Sequence, residues 1–323
     1  MRFSNEQLRV LENLTVAYDE WIRAERARHE VGGRPAWKTV AGKDYLYLIS
    51  DRLGNGVSLG PRNADTEAQF SRLNETRNAA KQRARSIKVR FEQLASIYRA
   101  LRLPRIADAA ARVLVEADRR SLLGKHLLVV GTNALAAYEL EAMERFASGL
   151  DATEDCDLTW ASESKLAMQS SKPLLDVLKA VDSTYTVNAE RSFQARNAQA
   201  YEVEFLLPES LSHSFPASEP IRPIPLPEQD WLLLGQSLSQ VVTSQRGIVA
   251  RLVVPDPRYF ALHKHWLAQQ PKRNNRKRDK DRQQAVALWA AIRRAMPRFP
   301  IDRDFMARLP DILQPVAQQL DDS

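Results

Sequence analysis

Apolar residues Leu8, Leu11, Leu14 and Trp21 recur at helical spacing behind Ser4-Asn5-Glu6-Gln7, the pattern of a capping box. This predicts an opening helix to about His29, broken at Gly32-Gly33-Arg34-Pro35. Two β-rich runs follow, at 37–40 and 45–49, and Gly54-Asn55-Gly56 is a turn signal before Val57-Ser58-Leu59-Gly60. A small β-hairpin is expected there. Residues 65–103 read as one long helix with Ile87, Phe91, Leu94 and Tyr98 as its apolar stripe, stopped by Pro104. A shorter helix is expected from Ile106 to about Arg120.

The pattern then changes. Leu127-Leu128-Val129-Val130 is a short apolar run, as in a buried strand, ended by Gly131-Thr132-Asn133. Residues 134–139 read as helix. Strands are expected at Asp155-Cys156-Asp157-Leu158, over 184–187 and over 200–207, with a helix over 174–181. The stretch 213–228 is rich in Pro and Ser and reads as a linker. From Gln229 the chain reads as mostly helical. These elements predict an α/β plus α fold, divided as 1–120, 121–212 and 213–323.

Composition narrows the class. The chain has 323 residues, 44% hydrophobic and 27% charged, which excludes wholesale disorder. No apolar run has the length of a membrane span, and Met1-Arg2-Phe3-Ser4-Asn5-Glu6 lacks the apolar core of a signal peptide. Cys156 is the only cysteine, so no intrachain disulfide can form and a cytoplasmic setting is expected. The net charge of +7 favours polyanionic partners.

The candidate chemistry starts at Asp155 and Asp157. Side chains two apart on a strand share a face, and two carboxylates that close repel unless a cation lies between them. Oxygen ligands suit Mg²⁺ or Mn²⁺, ions that serve phosphate chemistry. Gly131 allows close backbone approach to phosphate, and Thr132 adds a hydroxyl. The helix start that includes Asn133 offers free N–H groups.

Apolar strand, Gly-Thr, helix, then Asp-x-Asp on a strand resembles the DNA-polymerase-β-like nucleotidyltransferases. The resemblance implies a nucleotidyltransferase-type mixed sheet, here with an N-terminal helix–hairpin–helix extension and a C-terminal helical domain. It also implies a third carboxylate on a later strand. Glu204 is the first choice and Glu202, on the same face, the alternative; aspartate is usual there.

Further on, Pro255-Asp256-Pro257-Arg258-Tyr259-Phe260-Ala261-Leu262-His263-Lys264 opens a helix. Lys264 shares a face with Phe260 and Leu267, so it either snorkels to water or meets an anion. A basic stretch, 272–282, reads as a loop that could track a nucleic acid, apart from Lys264. With Asp281, Gln284 and Ala285 this arrangement is similar to a bacterial branch of the same superfamily, with Lys280 where arginine is usual. It has some similarity to abortive-infection-type nucleotidyltransferase toxins. The resemblance assigns Lys264 to a triphosphate and Asp281 to orienting Lys264 or a basic neighbour. His263 and His265 fall on different helix faces with no partner at zinc spacing, so zinc is not expected.

The expected activity is transfer of an NMP from an NTP to an acceptor hydroxyl, with Asp155, Asp157 and Glu204 as catalytic metal ligands. Gly131, Thr132, Asn133, Lys264 and Asp281 are expected at the nucleotide. The basic stretches point to an RNA end as acceptor, tRNA among them. A small-molecule or protein hydroxyl is the rival acceptor, and a non-catalytic nucleic-acid-binding module the rival class. An antitoxin or other protein partner would accompany the toxin-like reading.

Overall fold

The computed structural model describes residues 2–30, 33–50, 54–147, 149–150, 155–163 and 174–322. Thr153 and Glu154, which lead into the aspartate pair, and Gly32 of the expected helix break lie outside the described residues. The chain forms two units: residues 13–94, and residues 1–12 with 95–323. No helix among the described residues is long and apolar enough to cross a membrane.

The smaller unit takes most of helix α1 (Asn5–Glu30), strands β1 (Arg34–Val40), β2 (Lys43–Ile49) and β3 (Gly56–Pro61), and most of α2 (Ala64–Ala100). Where one hairpin was expected, the three strands form an antiparallel sheet in the order β1-β2-β3. Leu14, Ala17, Tyr18 and Ile22 of α1 are buried. Phe91 of α2 packs edge-on against both Tyr18 and Trp21. The start of α2 is a reciprocal cap: Thr66 N–H donates to Asn63 Oδ1 and Asn63 N–H to Thr66 Oγ1, each at 2.9 Å.

The larger unit begins with the expected capping box, in which Ser4 N–H donates to Gln7 Oε1 at 2.7 Å and Gln7 N–H to Ser4 Oγ at 3.3 Å. After β4 (Arg105–Ile106) and α3 (Asp108–Arg119), β5 (Leu127–Val130) enters the central sheet. All four residues of β5 are buried, as the unbroken apolar run requires. A 3₁₀ turn (Thr132–Ala134) and α4 (Leu135–Glu141) follow. The sheet continues through β6 (Asp155–Trp160), β7 (Thr186–Val187), β8 (Gln194–Arg196) and β9 (Glu202–Pro208), with α5 (Leu174–Val181) between β6 and β7. Its order is β5-β6-β9-β8-β7, mixed in direction, and β10 (Pro225–Leu226) pairs with the far end of β9.

The region after Gln229 differs from the helical expectation. A 3₁₀ turn (Pro227–Leu233) leads into a β-hairpin, β11 (Leu238–Ser244) and β12 (Val249–Val254), which joins β4 in a second sheet. Val241-Val242-Thr243 and Val253-Val254 are β-branched runs that carry this signal. Helices resume with α6 (Pro257–Gln269), α7 (Asn275–Ala295), α8 (Arg303–Ala307) and α9 (Gln314–Asp321). The basic stretch is mostly not a loop. Asn274 caps α7 by accepting from Arg276 N–H at 3.0 Å, so the cations from Arg276 onward are helical.

Candidate active site

Strand pairing builds the acidic face. Strands β6 and β9 run parallel with Asp155 opposite Glu202 and Asp157 opposite Glu204. Alternation turns Cys156 and Val203 into the core, where both are fully buried, and leaves the acids on the other face. Among the described residues, Asp155, Asp157 and Glu204 form the one group of three whose donor atoms lie within 4.8 Å of one another. Glu202, the alternative, is outside that group and stands 3.8 Å from Arg196 in an ion pair.

Three carboxylates this close shift each other's protonation. The Asp157 carboxyl is pushed up to about 7, first by burial and then by the charges of Asp155 and Glu204; Lys264 and Lys277 pull it back only in part. Three oxygen donors and surplus negative charge fit a hard divalent cation.

Gly131 is where the sheet meets the phosphate-type turn. Its φ is +63°, and a Cβ placed there would lie 1.8 Å from Asp157 Oδ2. Only glycine lets β5 end this close to the carboxylate. Asn133 donates from Nδ2 to the Asp155 backbone carbonyl at 2.8 Å, which fixes the start of β6. Thr132 Oγ1 stands 3.4 Å from Gln284 Nε2, which also donates to the Leu150 carbonyl at 2.7 Å.

Helix α6 supplies the facing wall. Asp256 caps it, accepting from Arg258 N–H at 3.0 Å, and is clamped by the Arg258 guanidinium at 2.8 Å. Tyr138 of α4 donates to the Pro255 carbonyl at 3.0 Å and packs on Phe260 with ring centres 5.0 Å apart. Lys264 is therefore held on a fixed helix. It is buried, and its Nζ donates to Asp281 Oδ1 at 2.7 Å. Arg273 Nη2 takes the other oxygen of Asp281 at 2.7 Å. Asp281 is itself buried, so this arrangement answers whether Lys264 snorkels or meets an anion. Lys264, Arg273, Lys277 and Asp281 come together because α6 and α7 pack side by side; a pocket of about 190 Å³ is lined by all of these except Asp281, and by the acids of β6 and β9.

A model of a family described as nucleotidyltransferase matches residues 108–308. The chain belongs to this nucleotidyltransferase family. No curated protein and no solved structure matches it. The matched residues of this nucleotidyltransferase begin with α3 and end just past α8, so they include every residue of the pocket. The smaller unit lies outside them.

The pocket contains residues that the sequence pattern places elsewhere or leaves unmarked. The sequence pattern groups Arg273 and Lys277 with a nucleic-acid-tracking loop apart from Lys264, yet Arg273 shares Asp281 with Lys264 and Lys277 lines the pocket. The helical spacing of Lys277, Lys280, Asp281 and Gln284 is the signal that could have placed them on one face. Gln194, opposite Glu204 on β8, carries no sequence signal of its own; it is fully buried and its amide donates to Glu204 Oε1. His263 lines the pocket beside Gln229, and burial pushes its imidazole down to about 3, so the ring is neutral. His265 faces away, towards Gln319 at 3.2 Å.

Proposed function

We propose that this protein transfers a nucleoside monophosphate from an NTP to an acceptor hydroxyl, with Asp155, Asp157 and Glu204 holding divalent metal. The observation that carries this reading is the opposition of charges across one pocket in a nucleotidyltransferase chain. Three clustered carboxylates face Lys264, Arg273 and Lys277. A triphosphate has the complementary needs: cations along its oxygens, and metal between it and the acids. Mg²⁺ or Mn²⁺, when bound, would lower the pKa of the acceptor hydroxyl and neutralise the departing pyrophosphate.

The chain's own residues do the rest. Lys264 serves as a point charge for phosphate, and Asp281 fixes it together with Arg273, so both cations are in place before substrate arrives. Gly131 keeps the pocket floor open beside Asp157, and Thr132 offers a hydroxyl at the helix start. Asn133 acts through the backbone of Asp155, as a positioning residue rather than a phosphate ligand. In the reaction, the acceptor oxygen forms a bond to the α-phosphorus and the α–β bridging bond breaks. Pyrophosphate leaves, and the acceptor proton passes to solvent.

An RNA end is the acceptor we favour. Lys272 and Arg276 are exposed next to the pocket cations in the chain, and besides Arg77 α2 carries five cations and no acid between Glu75 and Glu92. The test is incubation with each α-labelled NTP, Mg²⁺ and total RNA. Label should appear on RNA and vanish in Asp155→Ala and Asp157→Ala. Transfer that survives either substitution would overturn the metal assignment. Label on protein or on a small molecule would move the acceptor out of the nucleic-acid class.

A further inference from the structure

Asp157 of β6, Glu204 of β9 and Gln194 of β8 stand in one row across three neighbouring strands. Gln194 is fully buried, and its amide nitrogen donates to Glu204 Oε1. Its own oxygen accepts from Asn188 Nδ2 at 3.2 Å. Asn188 Oδ1 in turn accepts from the backbone N–H groups of Glu190 at 3.0 Å and Arg191 at 3.3 Å.

This chain of hydrogen bonds has one consistent direction. A backbone N–H only donates, so the oxygen of Asn188 must face the loop and its NH₂ must face Gln194. A carboxylate only accepts, so the NH₂ of Gln194 must face Glu204. The backbone at 190–191 thus fixes the orientation of two amides in series, and the second fixes a carboxylate.

We propose that Asn188 and Gln194 are positioning residues that hold Glu204 as the third metal ligand; this rests on the metal-dependent reading above. Glutamate has one more rotatable bond than aspartate, and without a cation the neighbouring acids of β6 disfavour its carboxylate close to them. A donor on the far side restrains one oxygen and leaves the other for ligation. The donor must also be neutral. An arginine or lysine at 194 would cancel one of the charges that attract the cation, whereas an amide orients Glu204 without competing with it.

The test is Mn²⁺ binding, followed by electron paramagnetic resonance and by the Mn²⁺-induced rise in Tm. Wild type, Gln194→Met, Asn188→Ala and the double variant are compared. Methionine nearly keeps the volume and removes the donor. Gln194→Met should weaken Mn²⁺ binding about tenfold, the usual scale for losing an outer partner of a metal ligand. Asn188→Ala should weaken it about threefold, and the double variant should be no worse than Gln194→Met, because the two act in series. A merely structural role would lower the Tm of the metal-free protein and leave Mn²⁺ affinity unchanged, which overturns the proposal. Additive losses overturn the series linkage. If Gln194→Met does not fold, Asn188→Ala carries the same test. Absence of Mn²⁺ binding in wild type would instead remove the metal reading itself, and the relay with it. Binding by wild type that Gln194→Met leaves unchanged removes the relay alone.

Discussion

Asp157 sits in an environment that disfavours its charged form. Its carboxyl is raised from 3.8 to about 7, so below about pH 7 the folded metal-free protein holds it protonated. The sign follows from linkage: between these values the native state binds more protons than the unfolded state, so stability falls as pH rises. The contribution is fully present below about pH 4 and lost above about pH 7. In EDTA, Asp157→Asn should therefore melt higher than wild type at pH 8, with the difference shrinking towards pH 4. With Mg²⁺ at pH 8, wild type should gain several degrees and the variant little. Parallel melting profiles for the two proteins across this range would show that Asp157 carries no such strain. The aspartate pair was legible from alternation alone. Its raised carboxyl is not, because the burial that chiefly raises it and the approach of Glu204 both come from the tertiary fold, the latter through the pairing of β6 with β9.

At the scale of elements, α7 is the informative case. The run of cations at 272–282 by itself predicts a loop. The cap at Asn274 instead starts a helix within the run and divides it by face. Lys277 lines the pocket and Asp281 points to Lys264, while Arg276, Asp279 and Arg282 lie on the outer side of the helix. Substituting the whole run would thus disturb nucleotide binding as well as any nucleic-acid surface. Two paired variants separate the faces. Arg273→Ser with Lys277→Ser should weaken NTP binding by tenfold or more, since it removes two pocket cations and half the support of Asp281. Lys272→Ser with Arg276→Ser should leave NTP affinity within about twofold and weaken RNA binding. Calorimetric titration with Mg²⁺ and a non-hydrolysable NTP decides it; equal losses in both variants would refute the division. The hairpin β11–β12 departs from the helical expectation for a related reason. Its apolar pairs also suit a helix locally, and only their pairing across the sheet selects the strand.

At the scale of the whole molecule, the smaller unit carries its own charge pattern. Lys81, Arg85 and Lys88 are exposed and share one face of α2, whereas Arg77 is engaged with the Gly33 carbonyl at 2.7 Å. Replacing the three by Gln should lower RNA affinity and flatten log K against log[salt] by about 0.7 for each phosphate no longer neutralised. NTP and Mn²⁺ binding should not change. An unaltered slope would leave this face as solvated helix surface. The sequence by itself determined the local elements with strong periodicity, the capping box at Ser4, the Gly-Thr turn and the spacing of Asp155 and Asp157. Those features depend on neighbours within a few residues, and short-range sterics and hydrogen bonding decide them. Tertiary structure alone decided that Glu204 rather than Glu202 joins the aspartates, that Gln194 backs Glu204, and that Arg273 and Lys277 belong to the pocket of Lys264. Each of these depends on strand register or on helix packing between distant segments, where a strand shifted by one residue would turn every side chain to the opposite face.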